Sequence, residues 1–180
     1  MKSSLFFIGI CPSHPISDEI HGIKESFHQK HETKGALRSK AHITLQMPFK
    51  FSQNKESTLI QSLEDFFGGM KSFEIQLDGF GKFEPRVIFI NVVDNPRLDA
   101  IQKSLAHFMK KFQIFGSTHK NNGFHPHITV AFRDLKKTTF YKIWDEVENV
   151  QFKKSFRADT ITIFKHNGVS WDIYKEISLQ

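Results

Sequence analysis

The sequence predicts an α+β fold that is bilobal and duplicated, with two antiparallel-rich sheets, helices packed outside them and a central cleft. The predicted elements run strand, helix, loop, strand, helix, strand, and the second half of the chain repeats that order. Two short segments, at 41–46 and 126–131, each have the pattern apolar–His–Ile–Thr–apolar and stand at corresponding places in the two halves. A chain of 180 residues is expected to form a single domain over 1–180. Its two lobes would comprise roughly 1–80 and 86–180, and they could exchange a strand.

The first half is expected to contain three strands and two helices. A continuous apolar run predicts a buried strand at 5–10, and alternation predicts a strand that carries the first His-Ile-Thr segment and ends near Pro48. Apolar residues at helical spacing predict a helix at 16–27, for which Ser13 is the expected N-cap, and a second helix at 54–67. A polar loop is expected at 28–40 and a half-buried strand at 73–78.

The second half is expected to add a similar series of elements. A nearly continuous apolar run predicts a strand at 87–93, and helical spacing predicts helices at 97–112 and 138–147. The polar segment 116–123 is expected to be a loop that leads into the strand with the second His-Ile-Thr segment.

The C-terminal region is expected to form two strands that flank a tight turn. Alternating residues predict these strands near 152–164 and 171–179. His166-Asn167-Gly168 stands between them, and Asn-Gly is a strong signal for a hairpin turn.

Charge and cysteine content restrict the partners and the compartment. The net charge of +6 and the sequence pI near 9.4 favour an anionic partner such as RNA or a nucleotide, although ordinary solubilising charge explains them equally well. The single cysteine, Cys11, excludes an intrachain disulfide and a multi-cysteine zinc ribbon. No apolar stretch approaches the length of a membrane span, so no membrane contact is expected. A cytoplasmic location is the default expectation, and we expect a monomer.

The two His-Ile-Thr segments carry the strongest chemical signal. Residues i and i+2 of a strand point to the same face, so His42 projects beside Thr44 and His127 beside Thr129. Each pair combines an imidazole, which exchanges protons near neutral pH, with a hydroxyl that can donate a hydrogen bond. Two such pairs facing a common cleft could hold one phosphate between two proton-transfer groups.

The paired segments resemble the two-histidine (2H) phosphoesterase superfamily, and especially its 2′-5′ RNA ligase-like branch. Further similarity lies in Phe73–Ile90, which resembles the segment that joins the two lobes in that branch, and in Phe124–Arg133, which resembles its second motif. The final hairpin, Thr160–Leu179, is also similar. The resemblance implies a bilobal α+β fold and metal-independent cleavage of cyclic or 2′-5′ phosphodiesters. One departure is 46–49, Gln-Met-Pro-Phe, where many members of the branch have Phe-Leu-Gly.

These residues predict a phosphodiesterase that opens a 2′,3′-cyclic phosphate at an RNA end or on a nucleotide. One of His42 and His127 would remove a proton from water and the other would give one to the departing ribose oxygen, but the sequence leaves open which is which. Thr44 and Thr129 would donate hydrogen bonds to the phosphate oxygens. The candidate substrate-binding residues are charged or aromatic and lie near the two segments: Arg133, Lys50 and Phe124.

Three alternatives stay open. A His-Thr pair on a strand is often structural, and a Phe such as Phe124 in so Phe-rich a chain is more often part of the core. The chain could be a non-catalytic module that binds RNA ends. His125 and His127 have the His-x-His spacing of some zinc sites, but no third ligand is evident, so neither a metal nor another cofactor is expected. No Gly-rich phosphate loop is present, which argues against the use of ATP.

Overall fold

One eight-stranded antiparallel sheet forms the centre of the computed structural model, which describes residues 2–115 and 123–180. The strands in chain order are β1 (Ser3–Ile10), β2 (Ile43–Ser52), β3 (Phe73–Phe83), β4 (Val87–Val92), β5 (His127–Phe132), β6 (Lys153–Ala158), β7 (Thr160–His166) and β8 (Trp171–Ser178). Within the sheet they lie in the order β6-β3-β4-β5-β2-β1-β7-β8. The mixed helix–strand class and the antiparallel character of the strands are confirmed.

The expected two sheets are joined into one in this structure. The strands that carry the His-Ile-Thr segments, β2 and β5, are neighbours, with Ile43 and Ile128 as Cα partners. The sheet therefore consists of two four-stranded halves that meet between β2 and β5. Strand β3 lies in the half of β4 to β6, whereas β7 and β8 lie beside β1. The division into lobes at 1–80 and 86–180 stays a prediction.

In the described part of the chain, four α-helices pack outside the sheet. They are α1 (Ile16–His31), α2 (Glu56–Phe67), α3 (Pro96–Met109) and α4 (Lys137–Val147). Each contributes buried apolar side chains to a core that also includes every second residue of β1, namely Phe6, Ile8 and Ile10. Because alternate residues of a strand face opposite sides, Phe7 points away from this core although it is also buried. The helices cover one face of the sheet, and the other face carries the candidate site.

The start of α1 differs from its prediction. Pro15 occupies the N-cap position, where no side chain caps the helix, and the backbone carbonyl of Ser13 accepts a hydrogen bond from Ser17 N at 3.1 Å. The Ser13 side chain was thus wrongly expected to be the cap. By contrast, the Asn95 side chain caps α3 by accepting hydrogen bonds from the two backbone N–H groups that follow Pro96.

Several segment boundaries also differ, including that of the strand predicted at 73–78, which continues to Phe83. The predicted loop 28–40 contains the last turn of α1 and a short 3₁₀ helix, Gly35–Arg38. Strand β2 continues past Pro48 to Ser52. The single strand expected at 152–164 is two strands, β6 and β7, on either side of Asp159. These two strands lie in different halves of the sheet. The sequence did not indicate the break between them, because a single residue does not interrupt the pattern of a strand.

The final hairpin is confirmed. Strands β7 and β8 pair from Thr160 and Ser178 to His166 and Trp171. The Asn167 side-chain oxygen accepts hydrogen bonds from the backbone of the turn, as Asn does in tight turns. The predicted loop 116–123 falls mostly outside the described residues. In the part of the chain that the structure describes, no helix is both long and apolar enough to cross a membrane.

Candidate active site

The contact between β2 and β5 brings the two His-Ile-Thr segments together. Ile43 and Ile128 are paired across it, and both side chains are completely buried on the helix-covered face. In an antiparallel pair the residues that flank such partners also stand opposite each other and point to the other face. This register sets His42 opposite Thr129 and Thr44 opposite His127. All four predicted catalytic residues therefore share one small area of the sheet face that the helices leave uncovered.

A β-bulge follows the first His-Ile-Thr segment. Gly9 of β1 pairs with Thr44, whereas the preceding Ile8 pairs with Gln46, so Leu45 is an extra residue on β2. The Leu45 side chain is buried in the core. Bulges are common next to active sites because they change the direction of neighbouring side chains.

The second segment has a bulge at the same position. Phe89 of β4 pairs with Thr129 and Ile88 pairs with Ala131, which makes Val130 the extra residue on β5. Like its counterpart, Val130 is buried in the core. Sequence reasoning recognised an apolar residue after each Thr but not the bulge that this residue occupies.

Both histidine rings are oriented by a backbone carbonyl two residues earlier in the chain. His42 Nδ1 is 2.7 Å from the carbonyl oxygen of Lys40, and His127 Nδ1 is 2.7 Å from that of His125. Because a carbonyl can only accept, Nδ1 carries the hydrogen in each ring. In the neutral imidazole, Nε2 is then the basic nitrogen. The two histidines thus have the same tautomer and the same support.

Each histidine ring also lies against a pair of Phe rings. The His42 ring centroid is 4.6 Å from that of Phe7 and 5.4 Å from that of Phe164. The His127 ring is 4.7 Å from Phe89 and 5.2 Å from Phe83. Sequence reasoning missed these four Phe residues as part of the site, although strand alternation separates Phe7 from the core-facing Phe6.

The surroundings of His42 hold its ring in the neutral form. Burial lowers the pKa of the His42 imidazole to about 4, the hydrogen bond to the Lys40 carbonyl opposes this decrease, and the charges of Lys24 and His127 contribute to it. Since this pKa lies far below neutrality, His42 is uncharged at physiological pH.

The three candidate substrate-binding residues lie at different distances from the histidines. Arg133 is exposed just after β5, and its guanidinium lies 5.2 Å from the centre of the Phe132 ring. Lys50 is exposed near the end of β2, roughly 20 Å from Thr44 at the rise of a β-strand. Phe124 is half-buried and packs against the core. Lys50 is therefore not brought to the histidines, and the binding roles of all three residues stay predictions.

Among the residues that the structure describes, no third ligand accompanies His125 and His127 for the alternative of a metal site. Their ring centroids are 6.0 Å apart. Within 2–115 and 123–180, no group of three or more His, Cys, Asp or Glu side chains is arranged to hold a metal ion.

Comparison with known proteins identifies the family. A family model described as the 2′-5′ RNA ligase superfamily matches residues 12–170 of the chain. This chain belongs to the 2′-5′ RNA ligase superfamily. The match includes both His-Ile-Thr segments and confirms the resemblance to the two-histidine phosphoesterases. The family supports a phosphoesterase or RNA-processing activity.

Individual relatives of this superfamily member are distant in sequence but similar in fold. A Bacillus cytotoxicus protein named "Putative phosphoesterase" is 22% identical over 178 residues, which cover 96% of this chain and 95% of that protein. Two crystal structures share the fold. That of E. coli LigT complexed with 3′-AMP has a TM-score of 0.67 and 21% identity, and the match covers 99% of each chain. That of TT0787 from Thermus thermophilus has a TM-score of 0.70 and 15% identity, and the match covers 97% of each chain.

Proposed function

We propose that this member of the 2′-5′ RNA ligase superfamily is a metal-independent phosphodiesterase. It opens 2′,3′-cyclic phosphates, or cleaves 2′-5′ links, of RNA or nucleotides. The observation that carries the proposal is the pairing of Ile43 with Ile128, because its register sets each histidine opposite the threonine of the other segment.

Acid–base catalysis by the two histidines accounts for every proton in the reaction. One imidazole takes a proton from the attacking water at Nε2, and the oxygen of that water forms a bond to phosphorus. The bond from phosphorus to one ribose oxygen breaks, and the other histidine, as imidazolium, gives that oxygen a proton. Thr44 and Thr129 donate hydrogen bonds to the non-bridging oxygens, on which negative charge increases in the transition state.

Two further observations support a nucleotide phosphate as the ligand. The chain carries a net charge of +6, which favours an anionic substrate. LigT, which has this fold, has been crystallised with 3′-AMP and with phosphate. We propose that the phosphate of an RNA end or a cyclic nucleotide occupies the area between His42 and His127.

A turnover screen tests this function. Purified protein would be incubated, with a chelator present, with 2′,3′-cyclic nucleotides, ADP-ribose cyclic phosphate and 2′-5′ dinucleotides, and the phosphate position in the product read by ³¹P NMR. We expect a phosphomonoester from at least one of these substrates. Salt-sensitive RNA affinity without any product would instead support the non-catalytic RNA-end binding module.

A further inference from the structure

Phe83, the last residue of β3, is an exposed aromatic side chain beside the candidate site. It is 42% exposed, yet its ring centroid lies 5.2 Å from that of His127 and 5.4 Å from that of His125. Both contacts are edge to face. Single exposed apolar side chains are ordinary on protein surfaces, but this one contacts a candidate catalytic histidine.

The residues on either side of Phe83 bind helix α4. The Lys82 ammonium lies 4.7 Å from the centre of the Trp144 ring, and the Glu84 carboxylate accepts a hydrogen bond from the Tyr141 hydroxyl. Because both neighbours are held on the helix side, the Phe83 side chain is directed to the other face of the sheet. A ring that is fixed in this way loses little conformational entropy when it binds a ligand.

A glycine allows a polar group to lie beside this ring. A Cβ on Gly81 would stand 2.4 Å from the Phe89 ring and 2.5 Å from Asn91 Oδ1, so only glycine leaves room for both groups against β3. The Phe89 ring is 4.6 Å from that of Phe83. Asn91 is half-buried and is the Cα partner of His127. Its carboxamide can both donate and accept hydrogen bonds.

An exposed aromatic ring next to a carboxamide is suited to bind a nucleobase. A base offers a flat aromatic face for stacking and an edge with hydrogen-bond donors and acceptors. Alanine substitution of a stacking ring weakens nucleic-acid binding by a factor of roughly 5–150. One ribose ring separates the base of a nucleoside 2′- or 3′-phosphate from its phosphorus. A phosphate at His127 therefore brings its base close to Phe83.

We propose that Phe83 and Asn91 form a nucleobase subsite beside His127. The base stacks on the Phe83 ring, and its edge forms hydrogen bonds with the Asn91 carboxamide. This inference rests on the proposed phosphodiesterase function. It narrows the substrate class to phosphates that carry a nucleobase, so the same sugar phosphate without a base is a poor substrate.

Trp171 is the competing position for a base. It lies at the start of β8, on the side of His42, with its ring 4.7 Å from that of Phe7 and 4.9 Å from that of His166. Trp171 is half-buried between these two neighbours, whereas Phe83 is exposed. The larger exposed area of the ring and the adjacent carboxamide favour Phe83.

The test compares two substrates that differ only in the base. They are adenosine 2′,3′-cyclic phosphate and methyl riboside 2′,3′-cyclic phosphate, and kcat and KM would be measured for both. Phe83→Ala removes the ring, Phe83→Tyr retains it, and Asn91→Ala removes the carboxamide. Phe115→Ala is the matched control, because Phe115 is 71% exposed. Trp171→Ala examines the competing position.

The proposal predicts effects that depend on the base. Phe83→Ala lowers kcat/KM for the adenosine substrate roughly 5- to 100-fold, mainly through KM, and leaves the base-free substrate unchanged. Phe83→Tyr retains the original preference. Asn91→Ala lowers kcat/KM for the adenosine substrate roughly two- to tenfold. Phe115→Ala and Trp171→Ala retain the original ratio between the two substrates.

Two results overturn the proposal. Equal losses on both substrates in Phe83→Ala would show that the ring only supports His127. A loss confined to the adenosine substrate in Trp171→Ala, with none in Phe83→Ala, would place the base at Trp171.

A binding measurement separates this inference from the proposed function. Absence of turnover in the original protein refutes the phosphodiesterase function. Calorimetric titration with adenosine 3′-monophosphate and with methyl riboside 3-phosphate still decides the subsite. If the subsite exists, Phe83→Ala weakens the affinity for the adenosine compound alone. Unchanged affinity for both compounds in folded Phe83→Ala refutes the subsite.

Discussion

Ile43 and Ile128 are partners across the contact between the two halves of the sheet, and both side chains are completely buried. Their position explains the candidate site, because the neighbours of a core-facing pair must point to the opposite face. Two buried isoleucines on the helix side thus place two histidines and two threonines on the other side.

Replacement of either histidine should abolish most of the activity. We expect His42→Ala and His127→Ala each to lower kcat for a 2′,3′-cyclic nucleotide by roughly 10²–10⁴, because each removes one proton-transfer group. His21→Ala, which alters an exposed histidine of α1, is the control and should retain full activity. Undiminished turnover by either site variant would remove that histidine from the mechanism.

The threonines should act mainly in the transition state. Thr44→Val and Thr129→Val keep the side-chain shape but lose the hydroxyl, and we expect each to lower kcat by about 10²–10³. Steady-state kinetics would show this loss with little change in KM. Thr58→Val, on the exposed side of α2, should leave kcat unchanged. An unchanged kcat in both site variants would show that the hydroxyls do not contact the phosphate.

Gly9 allows β1 to approach the first His-Ile-Thr segment closely. A Cβ at this position would stand 2.6 Å from the carbonyl oxygen of Ile43 and 3.6 Å from the Cβ of His42. We therefore expect Gly9→Ala to displace β2, to lower the free energy of unfolding by about 1–3 kcal/mol and to reduce kcat. Urea denaturation and kinetics measure the two effects.

Gly22 provides the control for this substitution. A Cβ at Gly22, in α1, has nothing within 4 Å, so Gly22→Ala should stabilise the protein by roughly 0.5–1 kcal/mol. If Gly9→Ala were as stable and as active as Gly22→Ala, the close approach of β1 to β2 would be refuted.

The burial of Lys24 should make stability depend on pH. Its pKa is about 8 in the folded protein and 10.5 as the ordinary value, so the unfolded chain binds more protons between these values. Stability should therefore rise by roughly 2–3 kcal/mol as the pH increases from about 8 to about 10.5, and this rise should disappear in Lys24→Met. Urea denaturation along this pH range measures the difference between the two proteins, and Lys30→Met, which alters an exposed lysine of the same helix, should behave like the original. An equal rise in Lys24→Met would show that Lys24 is not buried as an ammonium.

Local patterns were enough to select the candidate residues of the site, because strand alternation alone places His42 beside Thr44 and His127 beside Thr129. The union of the halves into one sheet could not be predicted, because the pairing of Ile43 with Ile128 joins residues far apart in the chain. The bulges could not be predicted either, because Leu45 and Val130 are of residue types that are also common in regular strands.

The burial of Lys24 was not predicted for a different reason. The predicted stripe of α1 passed through Ile23, which is only partly buried, whereas the buried stripe runs through Ile16, Ile20, Lys24 and Phe27. A lysine at a core-facing position is normally assigned to the surface because of its charge. Its regular spacing after Ile16 and Ile20 was the signal that could have identified it.

The most direct test of the account is a crystal structure of the protein with a nucleoside 2′- or 3′-monophosphate. We predict that one phosphate group lies within hydrogen-bond distance, about 3.2 Å or less, of Nε2 of both His42 and His127, with the Thr44 and Thr129 hydroxyls on its oxygens. A phosphate bound elsewhere, or contacted by only one of the two imidazoles, would contradict the central claim.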